Sequence, residues 1–186
     1  MRRGFKALAE RNAAAARRAL GLTPTAPLDA WQYAQHLKVL VADFESLSLT
    51  PECVQQLIHV DSASWSAMTL FDRGIHLIVV NPAHAPTRRQ SDLMHELAHI
   101  ELGHTPARVD VSGTGLLLLS DYADDQEQEA DWHAGALLIP RDGILQLLGQ
   151  SATVTTIARY YGVSESLCEW RIRMTGCDKQ IQRRTR

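Results

Sequence analysis

Five residues, His95-Glu96-Leu97-Ala98-His99, constrain this chain more than any other stretch. They form an H-E-x-x-H pentad inside RRQSDLMHELAHIELGH. On an α-helix, positions four apart lie one above the other on the same face, so His95 and His99 can aim both imidazoles at one metal ion. Glu96 sits one position round from that pair, where its carboxylate reaches a metal-held water without being a ligand itself. Zinc lowers the pKa of such a water to roughly neutrality, and a carboxylate placed there takes the proton as the water attacks a carbonyl. The competing reading is a charged helix with two incidental histidines. Chance gives such a pentad on the order of once in a few hundred chains of this size, so context has to decide.

Two histidines leave a catalytic zinc short of one protein ligand, with the fourth position kept for water. His104 is nearest, but the H-E-x-x-H-x-x-G-x-x-H spacing would put the glycine at 102 and the histidine at 105; here they are Gly103 and His104. His104 therefore reads as a helix-end residue or an outer partner of a ligand. The stretch Glu127-Gln128-Glu129-Ala130-Asp131 offers more. Glu127 and Asp131 fall on one helical face, so Glu127 can bind the ion while Asp131 accepts the outer N–H of a ligand histidine. Glu129 points roughly 160–200° away from Glu127, so only one of the two can face the ion, and Glu127 is the choice. Taken alone, DDQEQEAD would be a solvated acidic helix start; beside the pentad it is a ligand source.

The remaining composition sets the frame. A chain of 186 residues forms one domain, or one with a small appendage, and its 45% apolar and 22% charged residues are ordinary for a globular protein. A net charge of −2 gives no reason to expect binding to bulk nucleic acid or anionic membrane. Cys53, Cys168 and Cys177 form no C-x-x-C pair and are odd in number, which favours a reducing cytoplasm over a disulfide framework. No apolar run reaches the roughly 18 residues of a membrane span, and the charged start MRRGFKALAERNAAAARRAL does not read as a signal peptide.

Periodicity predicts a helix over 4–20, a connector through Pro27, a helix over 28–38, a strand over 39–44 and a helix capped at Thr50. SWSAMTLF and GIHLIVV flank Asp72-Arg73-Gly74 as a hairpin, and Thr87 is the expected cap of the pentad helix, which runs to Leu102 with Gly103 ending it. The hairpin edge would hold an extended peptide beside the ligands. Residues 105–124 read as a loop able to cover the site, its leucine run at 116–119 being either a short buried strand or an apolar lid. A helix returns from Asp125 to Ile139, followed by small helices near 143–149, 153–161 and 164–174, and the basic tail from Gln180 reads as a frayed end. The expected fold is α+β: a small antiparallel sheet packed on a zincin-like active-site helix, with added N- and C-terminal helices. The expected divisions are 1–27 (helix and connector), 28–150 (metallopeptidase core) and 151–186 (helix-turn-helix-like helices and tail).

These residues resemble the ImmA/IrrE-type zinc metallo-endopeptidases. The likeness runs in order through Asn81, Arg88-Arg89, HELAHIELGH and EQEADWHAGALLIP, then Val163-Ser164 and Trp170-Arg171. It implies a gluzincin-like site with His95, His99 and Glu127 as ligands, Glu96 as general base and zinc as cofactor, with manganese an alternative for this donor set. It also implies a protein substrate, a helix-turn-helix repressor or an antitoxin, in a stress-response or mobile-element switch. One departure is His133, where the family has phenylalanine: a packed residue, an outer-shell donor or an oxyanion stabiliser. Tyr122, His104, His133, Tyr160, Arg171 and a backbone N–H all stay open for the oxyanion.

Two other classes compete. IARYYGVS followed by SESLCEWRIRM has the form of a helix-turn-helix, but Glu165 and Glu169 oppose phosphate while Leu167, Trp170 and Ile172 suit packing, so direct DNA binding is not expected. A regulatory binding protein with a silent metal site is the third reading.

Overall fold

The computed structural model describes residues 1–47, 49–111 and 117–184. Helices α1 (Phe5–Ala19) and α2 (Ala30–His36) precede strand β1 (Leu40–Ala42). A 3-10 turn (Phe44–Leu47) and a short helix α3 (Pro51–Val54) follow, the latter continuing as a wider π-type turn over Gln55–Val60. Next come β2 (Ala67–Asp72), β3 (Ile75–Val80) and the long helix α4 (Pro86–Leu102). Strands β4 (Arg108–Val111) and β5 (Leu117–Ser120) lead to helix α5 (Asp124–Leu138). Helices α6 (Arg141–Gly149), α7 (Val154–Tyr161), α8 (Glu165–Thr175) and α9 (Cys177–Arg184) complete the described chain. The class is α+β, as expected, and the basic tail read as a frayed end is helical through Arg184.

The sheet departs from expectation in two ways. It has five strands in the order β1-β3-β2-β5-β4, and β1 lies parallel to β3 while the other pairs are antiparallel, so it is mixed. The hairpin itself forms as its turn chemistry predicts. Arg73 and Gly74 both take positive φ, 47° and 87°, the twist that suits a two-residue connection. Its outer edge, however, does not stay open to a peptide. Thr69, Leu70 and Phe71 of β2 pair with Leu119, Leu118 and Leu117 of β5, and among the described residues the edges are β1 and β4. The region expected as a covering loop thus contributes two strands; Leu117, Leu118 and Leu119 lack the alternation that marks a strand because they are half-buried in succession. Gly113, Gly115 and Leu116 lie outside the described residues.

Helix α4 packs on β2 and β3 with one side and on α5 with another. Leu93, Met94, Leu97 and Ala98 are buried, each large side chain contributing roughly 1.5–3 kcal/mol relative to exposure. Thr87 is not its cap. Pro86 occupies the first helical position, where its missing N–H costs nothing, and it holds Ala85 extended at the cap. Helix α5 is buried along most of its length from Glu129 to Leu138 and forms the axis of the helical layer. Helix α1 lies along it through Phe5 and, one helical turn apart, Ala9, Ala13 and Ala16, whose small side chains permit close approach. Arg17, fully buried, fastens that contact by donating to the carbonyls of Ala13, Ala26 and Leu137.

At the same C-terminal end of α5, Arg171 of α8 is also fully buried; it donates Nε to Ile139 O and pairs with Glu10 of α1. The C-terminal helices are therefore bound into the same core as α1. Tyr161 of α7 donates its hydroxyl to Thr25 O at 2.9 Å, and a Cβ added at Gly143 would stand 1.9 Å from the Tyr161 hydroxyl oxygen. Substituting Gly143→Ala should force Tyr161 out of its hydrogen bond and lower stability by about 1–3 kcal/mol, read as a lower denaturant midpoint at unchanged slope.

Candidate metal centre

Helices α4 and α5 each contribute to one cluster of donors. Nε2 of His95 lies 3.0 Å from Nε2 of His99 and 3.2 Å from Oε2 of Glu127, and His99 Nε2 lies 3.7 Å from the same oxygen. All three donor atoms fall within 4.8 Å of one another, and among the described residues they form the one such grouping. Ligands bonded to zinc at its usual distances in a tetrahedron stand roughly 3.3 Å apart, a value these separations bracket. Both imidazoles turn Nε2 inward and Nδ1 outward. The donor set fits a divalent ion of the zinc type.

The outward nitrogens have their own partners. His95 Nδ1 is 3.1 Å from Oδ1 of Asp131, one turn beyond Glu127 on α5. His99 Nδ1 is 3.0 Å from Nδ1 of His104. The local sequence explains the second contact. Gly103 takes a positive φ of 64° and ends α4 with paired reverse hydrogen bonds: Gly103 N–H to Ile100 O and His104 N–H to His99 O. That turn folds the His104 ring back onto His99, where a longer spacer would have carried it past. Tyr122, which joins β5 to α5, stacks on His99 with ring centroids 3.7 Å apart.

Glu96 stands beside this cluster, half-buried between α4 and the sheet, and Thr69 of β2 donates its hydroxyl to Oε2 at 2.5 Å. Burial raises the Glu96 pKa above the usual carboxylate range, with the Thr69 bond and His95 drawing it partly back. For His95, burial opposes the charged form, yet the hydrogen bonds to Asp131 and Glu127 outweigh it and carry the pKa up to about 10. His99 moves the other way, lowered by burial and by the adjacent His95. The hydrogen bond from His95 holds the Glu127 carboxyl below its ordinary value, against its partial burial. Burial, with Glu96 and Glu127 nearby, pushes the Tyr122 phenol up to about 12. Opposite charges thus gather where a cation would sit, in a setting poorer in water than the surface.

Not every residue singled out from the sequence joins the cluster. Glu129 lies on the opposite side of α5 from Glu127, paired with Arg2. His133 is fully buried and its Nε2 bonds Glu101 at 2.7 Å, away from the donor set. Arg171 is held by Glu10 and Ile139. Thr69 was not legible from the sequence: a threonine on a strand is ordinary, and only the packing of α4 on β2 brings it to Glu96.

Residues 58–173 match the family model of the IrrE N-terminal-like domain, Peptidase M78. The chain belongs to this family. It is a metallopeptidase-like family, and the matched span includes every donor of the cluster, Glu96, Thr69 and Tyr122. A comparison with curated proteins finds no match. No helix among the described residues is long and apolar enough to cross a membrane.

The His95–Asp131 contact makes a direct prediction for this peptidase-family centre. Asp131→Asn should weaken zinc binding about tenfold, toward the lower end of such effects because the carboxylate is largely exposed, as read by competition against a chromophoric chelator.

Proposed function

We propose that the chain is a zinc-dependent endopeptidase of the gluzincin type, with His95, His99 and Glu127 holding the ion and Glu96 acting as general base. The observation that carries this reading is the convergence of two Nε2 atoms and one carboxylate oxygen, with Glu96 beside them. A divalent ion in that place supplies Lewis acidity toward a carbonyl and acidifies water; two imidazoles and a carboxylate suit zinc first and admit manganese. The protein's own part is proton handling. Glu96, its pKa raised by burial, accepts a proton from the attacking water and returns it to the departing amine. Thr69 holds the carboxylate in register by donating to Oε2 and leaves Oε1 for that exchange. Tyr122 covers one face of His99 and keeps bulk water from it.

The substrate class we propose is a protein, namely a helix-turn-helix repressor or an antitoxin, cut in a regulatory switch. Family membership supports a peptide bond as the target, and the resemblance supplies the partner class. The cytoplasm is the proposed setting: Cys53, Cys168 and Cys177 are all thiols, with the last two buried. Direct DNA binding finds little support. In the helix-turn-helix-like pair α7–α8, Arg171 is buried against Glu10, and Glu165 and Glu169 are exposed where phosphates would lie.

Two experiments test the proposal. Elemental analysis of protein purified without chelator should give about one zinc per wild-type chain and a clear loss in His99→Ala and Glu127→Ala. Glu96→Gln should keep the metal while slowing cleavage of the repressor by about 100-fold or more. A Glu96→Gln protein that still cuts would sink the assignment, and a wild type that takes up no zinc would demote the pentad.

A further inference from the structure

Behind the metal-facing atoms a second line of polar groups runs from His99 to the first residues of the chain. His99 is 1% exposed, and with Nε2 in the donor cluster its Nδ1 meets Nδ1 of His104 at 3.0 Å. Two imidazole nitrogens that close share one proton: one donates it and the other accepts. For His99 to offer a lone pair at Nε2, the proton must sit on its own Nδ1, and His104 must accept it. The reverse arrangement would place the His99 proton on Nε2, in the middle of the donor set. An imidazole partner does not decide between these two states, because His104 can be either donor or acceptor. Something beyond it must decide.

That group is Glu129. Its Oε2 lies 3.7 Å from His104 Nε2, at ion-pair distance and just beyond hydrogen-bond length. A carboxylate there favours a proton on His104 Nε2, which leaves His104 Nδ1 bare to accept from His99. Glu129 is 3% exposed and is held by four bonds from Arg2: its backbone N–H at 2.7 Å, Nε at 2.9 and 3.0 Å, and Nη2 at 2.6 Å. Arg2 in turn is carried by α1, whose Phe5 and Ala9 are buried against the core. His95 needs no such chain, since Asp131 takes its Nδ1 directly.

We propose that Arg2, Glu129 and His104 are positioning residues of the metal centre: they set the His99 tautomer, so that metal affinity depends on docking of the N-terminal segment. The inference rests on the ligand assignment under Proposed function. Ligand histidines commonly donate their outer N–H to a carboxylate or carbonyl, and loss of that partner costs about 10–100-fold in affinity. Here the partner is a histidine whose accepting state is itself dictated, one residue further out, by an ion pair that α1 delivers.

The test is the zinc dissociation constant of the full chain, measured by competition, together with the visible spectrum of the cobalt-substituted protein. Glu129→Gln and His104→Ala should each weaken zinc binding by about tenfold or more. Arg2→Ala, at a residue whose side chain is mostly exposed, should weaken it measurably without unfolding the protein, and Arg2→Lys should recover part of the loss. The cobalt spectrum should shift in the same three weakened variants, since the electronic character of His99 changes with its outer bond. In the double variant Glu129→Gln/His104→Ala the loss should equal that of His104→Ala alone, because a broken chain cannot be broken twice. Additive losses, or wild-type affinity and spectrum in Glu129→Gln and His104→Ala, would overturn the relay while leaving wild-type zinc binding intact. A wild type without zinc would remove the ligand assignment as well, so the two failures are distinguishable.

Discussion

Everything in this molecule depends on holding two helices at one separation. The donors come from two helices: His95 and His99 ride on α4 and Glu127 on α5. An error of an ångström between the helices would move Glu127 out of reach of a metal bonded at roughly 2 Å. The core is built to prevent that error. Leu93, Met94, Leu97 and Ala98 are buried on α4, while α5 is buried from Glu129 to Leu138 and carries alanines and a glycine on the faces turned to its neighbours. Small side chains leave the backbone little room to drift, and a close-packed interior passes any displacement on to its neighbours.

Polar bolts complement that packing. Arg17 and Arg171 are both fully buried at the C-terminal end of α5, where Arg17 donates to the Leu137 and Ala26 carbonyls and Arg171 to Ile139 O, with Glu10 of α1 balancing Arg171. A buried guanidinium is costly unless its donors are used, so these contacts favour one arrangement of helices over near alternatives. The same layer that secures the fold therefore also brings Arg2 to Glu129.

The sheet serves the site from the other side. Strand β2 lies under α4 and supplies Thr69 to Glu96; β4 and β5 are flanked in the chain by His104 before them and Tyr122 after, both of which meet His99. Because β5 pairs with β2, a substrate strand meets no open edge at the hairpin, and β4 is the edge on that side among the described residues.

Local sequence determined a good deal by itself. The four-residue repeat of His95 and His99 placed them on one helical face, the E-x-x-x-D spacing placed Glu127 and Asp131 on another, and Gly103 marked the end of α4, because helical geometry is a property of neighbouring residues. Arg73-Gly74 marked the hairpin for the same reason. What the sequence could not express was anything settled between distant segments. Thr69 finds Glu96 across 27 positions, Arg2 finds Glu129 across 127, and His133 turns to Glu101 across 32. The pairing of β5 with β2 is equally non-local, and its leucine run has no alternation to announce it. Short-range periodicity placed His95, His99 and Glu127 on their helix faces; the packing of α1, α4, α5 and the sheet brought them together and decided which polar groups stand behind them, because only burial brings distant groups together and makes their pairing obligatory.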